Sequence, residues 1–123
     1  TYYGVPQSLV FDFAKAITGF PITLHQWRSE TGPRIITLQR ALLMMGGPDL
    51  KWTPLKDDDT PPRFYEPLPS GPYKGKTTDR ELVDTKLQAY FDTVGWDSNG
   101  IPTKETLKKL DLADLEKSMV KLR

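Results

Sequence analysis

The chain lacks cysteine altogether and has a single histidine, His25, among its 123 residues. Disulfide frameworks, thiolate zinc sites, iron–sulfur ligation and cysteine nucleophiles therefore cannot be built from its own side chains. A Ser-His-Asp triad could use only His25. Because His25 falls in the first turn of a predicted helix, we interpret it as a surface residue.

A charge excess of one sign and long apolar runs are also absent. The 17 Lys and Arg residues balance 16 Asp and Glu residues, for a net charge of +1. This balance argues against nucleic acid or an anionic membrane as a partner. No apolar run approaches the roughly 20 residues that a membrane span needs. The first residues do not resemble a signal peptide, and because the sequence begins with Thr1 we expect a piece of a longer chain.

The first third of the sequence predicts two helices. Pro6 suits a first helical position and Gly19 a C-terminal stop, which predicts a helix over residues 6–18. Thr23 and Gln26 form a capping-box pattern that begins a long helix ending at Gly46-Gly47, with a kink or break near Gly32-Pro33. Apolar stripes recur every three or four residues: Leu9, Val10, Phe13 and Ile17, then Leu24, Trp27, Thr31, Ile35, Leu38, Leu42 and Met45.

The middle of the chain is rich in proline, with seven of the 11 prolines between Pro48 and Pro72. Proline fixes φ and donates no backbone hydrogen bond, which predicts extended backbone with turns. Four aromatic residues are interleaved there and are expected to pin the segment onto helices: Trp52, Phe64, Tyr65 and Tyr73. We call residues 48–76 the strap.

The last third is predicted to be helical again. Thr78 and Glu81 form a second capping-box pattern, and the helix that follows should end at Gly95. Thr103 should cap a short helix through Leu110, and Asp111 another whose shared face is Leu112, Leu115, Met119 and Leu122. The stripe of Tyr90, Phe91 and Trp96 has the period of a core. The predicted fold class is mainly α: an irregular multi-helix domain over residues 1–123, with the proline-rich extended strap packed across the helices.

Acidic residues offer little that is specific. Asp57-Asp58-Asp59 could suggest a site for a hard cation, but the spacing and late glutamate of an EF-hand are missing. Solvated turn and cap residues are the simpler interpretation. Pairs of carboxylates for acid–base chemistry can be drawn from any sequence with 16 acids.

Three arginines are more informative. Arg40 lies on a helix that is otherwise apolar around it, and Arg63 lies between Pro62 and Phe64 in the strap. A planar guanidinium pairs bidentately with carboxylates such as Asp58 or Asp59. Together with Arg34, these arginines are expected to tie the strap to a helix, and a substrate or phosphate clamp is the alternative.

Three stretches of the sequence match, in order, the C-terminal end of a known family. The first stretch is Tyr3-Gly4-Val5-Pro6 with residues 16–20 (Ala-Ile-Thr-Gly-Phe) and 32–41 (Gly-Pro-Arg-Ile-Ile-Thr-Leu-Gln-Arg-Ala). The second is residues 58–64 (Asp-Asp-Thr-Pro-Pro-Arg-Phe) and 67–72 (Pro-Leu-Pro-Ser-Gly-Pro). The third is Tyr90-Phe91 with residues 95–103 (Gly-Trp-Asp-Ser-Asn-Gly-Ile-Pro-Thr). Together they resemble the tungsten-containing aldehyde ferredoxin oxidoreductase family over nearly the whole chain.

The resemblance implies a mostly helical third domain at the C-terminal end of a larger, cytoplasmic enzyme. Such enzymes oxidise aldehydes to carboxylic acids and pass the electrons to ferredoxin. They use a tungsten or molybdenum bis-pterin cofactor beside a [4Fe–4S] cluster held by four cysteines. This chain has none of these cysteines, so the remaining domains of the parent chain would supply the redox centre and the fragment alone would be inactive.

No catalytic, cofactor-binding or metal-ligating residue is carried over from the family. Ten motif residues are expected to be structural: Arg34, Arg40, Asp58, Asp59, Arg63, Gly95, Trp96, Asp97, Gly100 and Pro102. The sequence departs from the family at Pro33, where a glutamate is usual, and at residues 42–45, which are Leu-Leu-Met-Met in place of more polar residues. These departures indicate a divergent branch. They also predict that Leu42, Leu43, Met44 and Met45 form an exposed apolar patch facing other domains or a subunit.

Two alternatives remain open at this point. A stand-alone helical interaction module would present a proline-rich surface, with Pro61-Pro62, Pro67 and Pro69 in polyproline II conformation. A small hydrolase would use carboxylates or His25, which only the general abundance of acidic residues supports.

Overall fold

The computed structural model describes residues 4, 6–48 and 51–123. Tyr3 and Val5 of the first motif, and residues 49 and 50 of the strap, lie outside the described residues. The α-helices are α1 (Gln7–Thr18), α2 (Leu24–Gln26), α3 (Gly32–Met45), α4 (Arg80–Val94), α5 (Lys104–Lys109) and α6 (Glu116–Met119). A π-helical turn occupies Trp27–Thr31, and 3₁₀ turns occupy Pro62–Tyr65 and Ala113–Leu115.

The predicted mainly α fold class is confirmed. Among the described residues, β-structure is limited to an isolated antiparallel bridge between Trp96 and Pro102. In the part of the chain that the structure describes, no helix combines the length and the apolar character that crossing a bilayer would take.

Helix α1 forms as predicted but does not bury its apolar stripe. It ends at Gly19, whose φ of 73° is left-handed and whose N–H donates to the Lys15 carbonyl. No residue of α1 is buried, and Ile17 is 82% exposed. The ring of Phe11 lies 5.8 Å from that of Trp27, on the side of the helix away from the stripe.

Of the kink or break predicted near Gly32-Pro33, the break is wrong, because the backbone stays helical from Leu24 to Met45. The predicted capping box is confirmed: the Gln26 N–H donates to Thr23 Oγ1 at 3.1 Å, and the Thr23 N–H donates to Gln26 Oε1 at 3.1 Å. A π-helical turn then leads into α3, and the Gly32 N–H reaches back to the Trp27 carbonyl. The hydrogen-bond pattern changes where Pro33 supplies no N–H, so the missing donor is accommodated without ending the helix.

The core lies between α3 and the last quarter of the chain. Its buried residues are Ala41, Met44, Ile101, Leu107, Leu110, Leu112 and Met119, with Leu115 and Leu122 packed against them. The face predicted for Leu112, Leu115, Met119 and Leu122 is therefore confirmed. The C-terminal segment turns back on itself so that α5 and α6 both pack here.

Helix α3 buries a different stripe from the predicted one. Its buried residues are Thr37, Arg40, Ala41 and Met44, spaced by three, one and three. The predicted stripe of Ile35, Leu38, Leu42 and Met45 is 36–53% exposed. Of the four residues expected in an exposed patch, Leu42, Leu43 and Met45 are exposed, and Met44 is buried. A polar pair, Thr37 and Arg40, thus lies on the inner side of the helix.

The strap lies against α3 and then folds on itself. The Trp52 N–H donates to the Leu43 carbonyl at 3.0 Å, and the Thr78 N–H donates to the Phe64 carbonyl at 3.2 Å. Trp52 and Tyr65 are partly buried, as expected of anchoring aromatics. Phe64 and Tyr73 are 57% and 63% exposed, so their predicted anchoring role is wrong.

At two predicted helix starts, the residue expected to cap the helix does not do so. The cap of α4 is Asp79, whose carboxylate accepts from the backbone N–H groups of Glu81 and Leu82, and Thr78 does not cap it. Asp111 has a positive φ of 56° and caps no helix. Thr103 caps α5 as predicted, accepting from the Thr106 N–H at 3.2 Å.

The start of α4 gives the first testable prediction. Asp79→Ala removes the acceptor for two free helical N–H groups and should lower the free energy of unfolding by about 1 kcal/mol. Thr78→Ala, one residue earlier, is the matched control and should change it little. Chemical denaturation of the two variants measures the difference, and equal losses would contradict the assignment of the cap.

Candidate functional site

Four of the ten motif residues meet at the guanidinium of Arg40: Arg40 itself, Asp58, Trp96 and Gly100. The Arg40 side chain projects from the inner face of α3 and is 6% exposed, and the side chain of Asp58 in the strap is 9% exposed. Arg40 Nη1 donates to Asp58 Oδ1, and Nη2 donates to Oδ2 at 2.7 Å. Such a bidentate pair fixes both side chains in one plane.

Backbone and aromatic groups complete the surroundings of Arg40. Its Nε donates to the Gly100 carbonyl at 2.8 Å. The guanidinium carbon lies 5.1 Å from the ring centre of Trp96 and 5.7 Å from that of Phe91, within the range of cation–π attraction. The Trp96 indole N–H in turn donates to the Thr37 hydroxyl at 3.4 Å. We call Arg40, Asp58, Phe91, Trp96 and Gly100 the Arg40 cluster.

Asp58 is held as a carboxylate by several donors at once. The Trp52 indole N–H donates to Oδ1 at 3.0 Å, and the Leu55 backbone N–H donates to Oδ2 at 2.9 Å. Burial acts to raise the pKa of Asp58, but the hydrogen bonds from Arg40, Leu55 and Trp52 outweigh it and hold the pKa below its usual value. The Arg40–Asp58 contact is therefore an ion pair.

The turn after α4 delivers the Gly100 carbonyl to Arg40. Asp97 Oδ1 accepts from the backbone N–H groups of Asn99 and Ile101, each at 2.9 Å, which closes the turn. Gly100 has a φ of 70°, and a Cβ there would lie 2.5 Å from Arg40 Nη2 and 2.6 Å from a ring carbon of Phe91. Only glycine satisfies both the backbone angle and the close approach.

A second pair lies beside the cluster at the surface. Arg80 Nη2 is 3.0 Å from Asp59 Oδ2, and the Tyr65 hydroxyl donates to Asp59 Oδ1 at 2.8 Å. The Tyr65 hydroxyl and then the Arg80 guanidinium lower the pKa of Asp59. This pair joins the strap to the start of α4, and sequence reasoning missed Arg80 because the capping pattern that predicts α4 says nothing about which charged residues pair.

The other predicted arginines lie elsewhere. Arg34 Nη1 is 3.6 Å from Asp111 Oδ2 in an exposed pair. Arg63 is exposed and lines a cleft of about 420 Å³ with Phe64 and Tyr73. The structure therefore brings together Arg40 and Asp58 with Trp96 and Gly100, and leaves Arg34 and Arg63 outside that group.

The chemistry of the Arg40 cluster is that of a closed electrostatic clamp. Within the described residues, every buried side-chain nitrogen or oxygen has a hydrogen-bond partner. A group of three or more His, Cys, Asp or Glu side chains able to hold a metal ion is not found across residues 6–48 and 51–123. The donors of Arg40 and the acceptors of Asp58 are directed at each other and at fixed neighbours, which holds the strap, α3 and the turn after α4 together.

Comparison with known proteins identifies the family. The sequence profile described as aldehyde ferredoxin oxidoreductase, domains 2 and 3, matches residues 2–112. The chain belongs to the aldehyde ferredoxin oxidoreductase family. The resemblance read from the three motifs is therefore confirmed, and the Arg40 cluster is assembled from all three of them.

Curated relatives within this family come from Pyrococcus furiosus and Pyrococcus horikoshii. The WOR-like subunit of aliphatic sulfonate oxidoreductase from P. furiosus is 48% identical over 114 residues. Tungsten-containing aldehyde ferredoxin oxidoreductases are 31% identical in P. furiosus and 30% identical in P. horikoshii, each over 115 residues. Each alignment covers 93% of this chain, and the chain spans 18% of the length of each relative.

The close approach at Gly100 predicts a large effect of one methyl group. Gly100→Ala should lower the free energy of unfolding by about 2–4 kcal/mol, because the new Cβ displaces Arg40 or Phe91 as well as straining the backbone. Gly75→Ala is the matched control: its φ is 80°, but nothing lies within 4 Å of the new Cβ. Denaturant titration should show the smaller loss for Gly75→Ala, and similar losses would contradict the predicted clash.

Neutralising Asp58 should leave the buried charge of Arg40 without its partner. Asp58→Asn is expected to lower the free energy of unfolding by about 3–5 kcal/mol at neutral pH, since one partner of a buried pair is removed. Asp59→Asn, which affects an exposed pair, should have a much smaller effect. The pKa of Asp58 is lower in the folded state than in the unfolded state, so its contribution is fully present above pH of about 4.

That contribution is lost as the pH falls through the folded-state pKa of Asp58. The stability gap between the unmodified chain and Asp58→Asn should therefore be widest near neutral pH and narrow in acid. Unfolding curves recorded from pH 7 down to acid test this, and a gap that stays constant or widens in acid would show that Asp58 does not carry the charge.

Proposed function

We propose that residues 1–123 form the C-terminal helical domain of a larger oxidoreductase. That enzyme holds tungsten or molybdenum on a bis-pterin cofactor beside a [4Fe–4S] cluster. The observation that carries the proposal is the family match over residues 2–112, together with relatives of which this chain spans 18%. Two of those relatives are named tungsten-containing aldehyde ferredoxin oxidoreductases.

The sequence of this chain lacks the residues that would hold the iron–sulfur cluster. A [4Fe–4S] cluster is held by cysteine thiolates, and the chain has no cysteine. We therefore assign the ligands to the remaining domains of the parent chain and derive no catalytic step from these residues. On this proposal the 123-residue chain by itself is inactive.

The part that we assign to the chain is that of a rigid support. Arg40 and Asp58 fix the strap onto α3, and the Gly100 carbonyl fixes the turn after α4 to the same guanidinium. Because the pair is buried and fully hydrogen-bonded, moving any one of these segments exposes an unpaired charge. A domain held in this way can present an unchanging surface to a cofactor-binding domain.

For the whole enzyme we propose oxidation of an aldehyde by the family's reaction. Aldehyde and water give a carboxylic acid, two protons and two electrons, and the metal cofactor supplies the two-electron chemistry. The electrons pass to ferredoxin in the cytoplasm. The higher identity to the WOR-like subunit than to the two aldehyde enzymes, 48% against 31% and 30%, supports a divergent branch of the family.

A stand-alone interaction module is the alternative, and one observation favours it. Phe64, Leu68 and Tyr73 are exposed together along the part of the strap that folds on itself. The proposed polyproline II surface is not supported at Pro61-Pro62, because Pro62 begins a 3₁₀ turn. A partner would therefore contact these apolar side chains rather than a proline helix.

Metal analysis of the natural polypeptide tests the proposal. We expect tungsten or molybdenum together with about four iron atoms per polypeptide, as one [4Fe–4S] cluster requires. The 123-residue chain, purified in parallel as the control, should carry neither above background. A natural polypeptide that lacks both metals when purified without air would overturn the proposal and favour the interaction module.

A further inference from the structure

Helix α3 carries a second apolar face that the rest of the described chain does not cover. Residues of an α-helix advance by about 100°, so the buried set of Thr37, Arg40, Ala41 and Met44 occupies one side. The outer face of α3 consists of Ile35, Ile36, Leu38, Leu42, Leu43 and Met45, which are 36–53% exposed. These six side chains occupy the arc that the buried set leaves.

The composition of this face indicates what kind of surface covers it. Gln39 is the uncharged polar residue within the arc, and Arg34, at its edge beside Met45, is paired with Asp111. A helix that is apolar around most of its circumference is typical of the interior of a larger protein. Transient partners such as electron carriers use small interfaces, whereas permanent interfaces are larger and more hydrophobic.

The clamp on the inner side explains why the chain itself cannot cover the outer face. Arg40 draws the strap and the turn after α4 toward the side of α3 opposite Leu42. The core residues of α5 and α6 pack on that inner side too. These segments thus pack mainly on one side of α3 and leave Leu42, on the opposite side, 53% exposed.

We propose that the remaining part of the same polypeptide packs on the outer face of α3 and makes it a buried helix between domains. The inference rests on the proposed function, since it requires a longer chain. Its support is length and chemistry: this chain spans 18% of its curated relatives, so most of each relative is available to cover the face. An apolar arc whose one charged neighbour, Arg34, already has a partner fits a permanent intramolecular contact.

A photocrosslinker at position 42 identifies the occupant. Benzoylphenylalanine replaces Leu42 in the full-length protein, and a second variant carries it at Val120, which is 57% exposed and lies on another element. We expect position 42 to form a crosslink within one polypeptide, to a residue of the full-length protein that lies outside residues 1–123. Crosslinks between two differently tagged copies would assign the face to a dimer and overturn the proposal.

Hydroxyl-radical footprinting tests the same proposal on the full-length protein without any substitution. Met44 and Met45 are adjacent, but they are 1% and 46% exposed in this chain. In the full-length protein, hydroxyl radicals should oxidise Met45 as slowly as Met44, while Tyr73 on the strap serves as the exposed reference. Oxidation of Met45 at a rate close to its intrinsic reactivity would show a bare face and overturn the proposal.

The two proposals fail in different ways. A polypeptide that holds iron with tungsten or molybdenum but leaves Met45 reactive would contradict only the inference about α3. A polypeptide that holds neither iron nor one of these two metals would contradict the proposed function, whatever the reactivity of Met45.

Discussion

The arrangement of the chain depends on one buried ion pair. Arg40 and Asp58 are 18 residues apart, and the Gly100 carbonyl that accepts from the same guanidinium is 60 residues from Arg40. Removing a guanidinium and a carboxylate from water is costly, and the pair is tolerable because each of its nitrogen and oxygen atoms has a hydrogen-bond partner. Asp58 accepts further hydrogen bonds from Trp52 and the Leu55 N–H. The guanidinium of Arg40 also lies against the rings of Phe91 and Trp96. Lysine could not replace Arg40, since it lacks the planar fork that meets a carboxylate and a carbonyl together.

This clamp also departs from the usual arrangement of an amphipathic helix. In α3 the inward side holds Thr37 and Arg40 beside Ala41 and Met44, and the outward side holds isoleucine, leucine and methionine. Helix α1 shows the same feature, with its apolar stripe exposed and no residue buried. In a chain standing alone this would be a poor distribution of apolar surface. It is the expected distribution for a family member that spans 18% of the length of its relatives.

Sequence reasoning succeeded where the controlling chemistry is local. Thr23, Gly19 and Thr103 were assigned correctly because a cap acts within three or four residues of itself. It missed by one residue at Thr78, since Asp79 is an equally good cap and only the backbone path decides between them. The pairing of Arg40 with Asp58 could be proposed from charge alone, but the choice of Arg80 for Asp59 depends on where α4 begins. Which side of α3 is buried could not be read from the pattern, because both sides are rich in apolar residues.

The π-helical turn at Trp27–Thr31 changes the direction in which side chains point along the helical stretch from Leu24 to Met45. A turn with i to i+5 hydrogen bonds contains one residue more than an α-helical turn, so everything after it is rotated by about 100° relative to the residues before it. A stripe counted at 3.6 residues per turn from Leu24 onward therefore loses alignment on reaching Ile35. Two short apolar strips that point in different directions take the place of one long seam. The extra residue acts as an angular offset that lets one continuous helix face two neighbours.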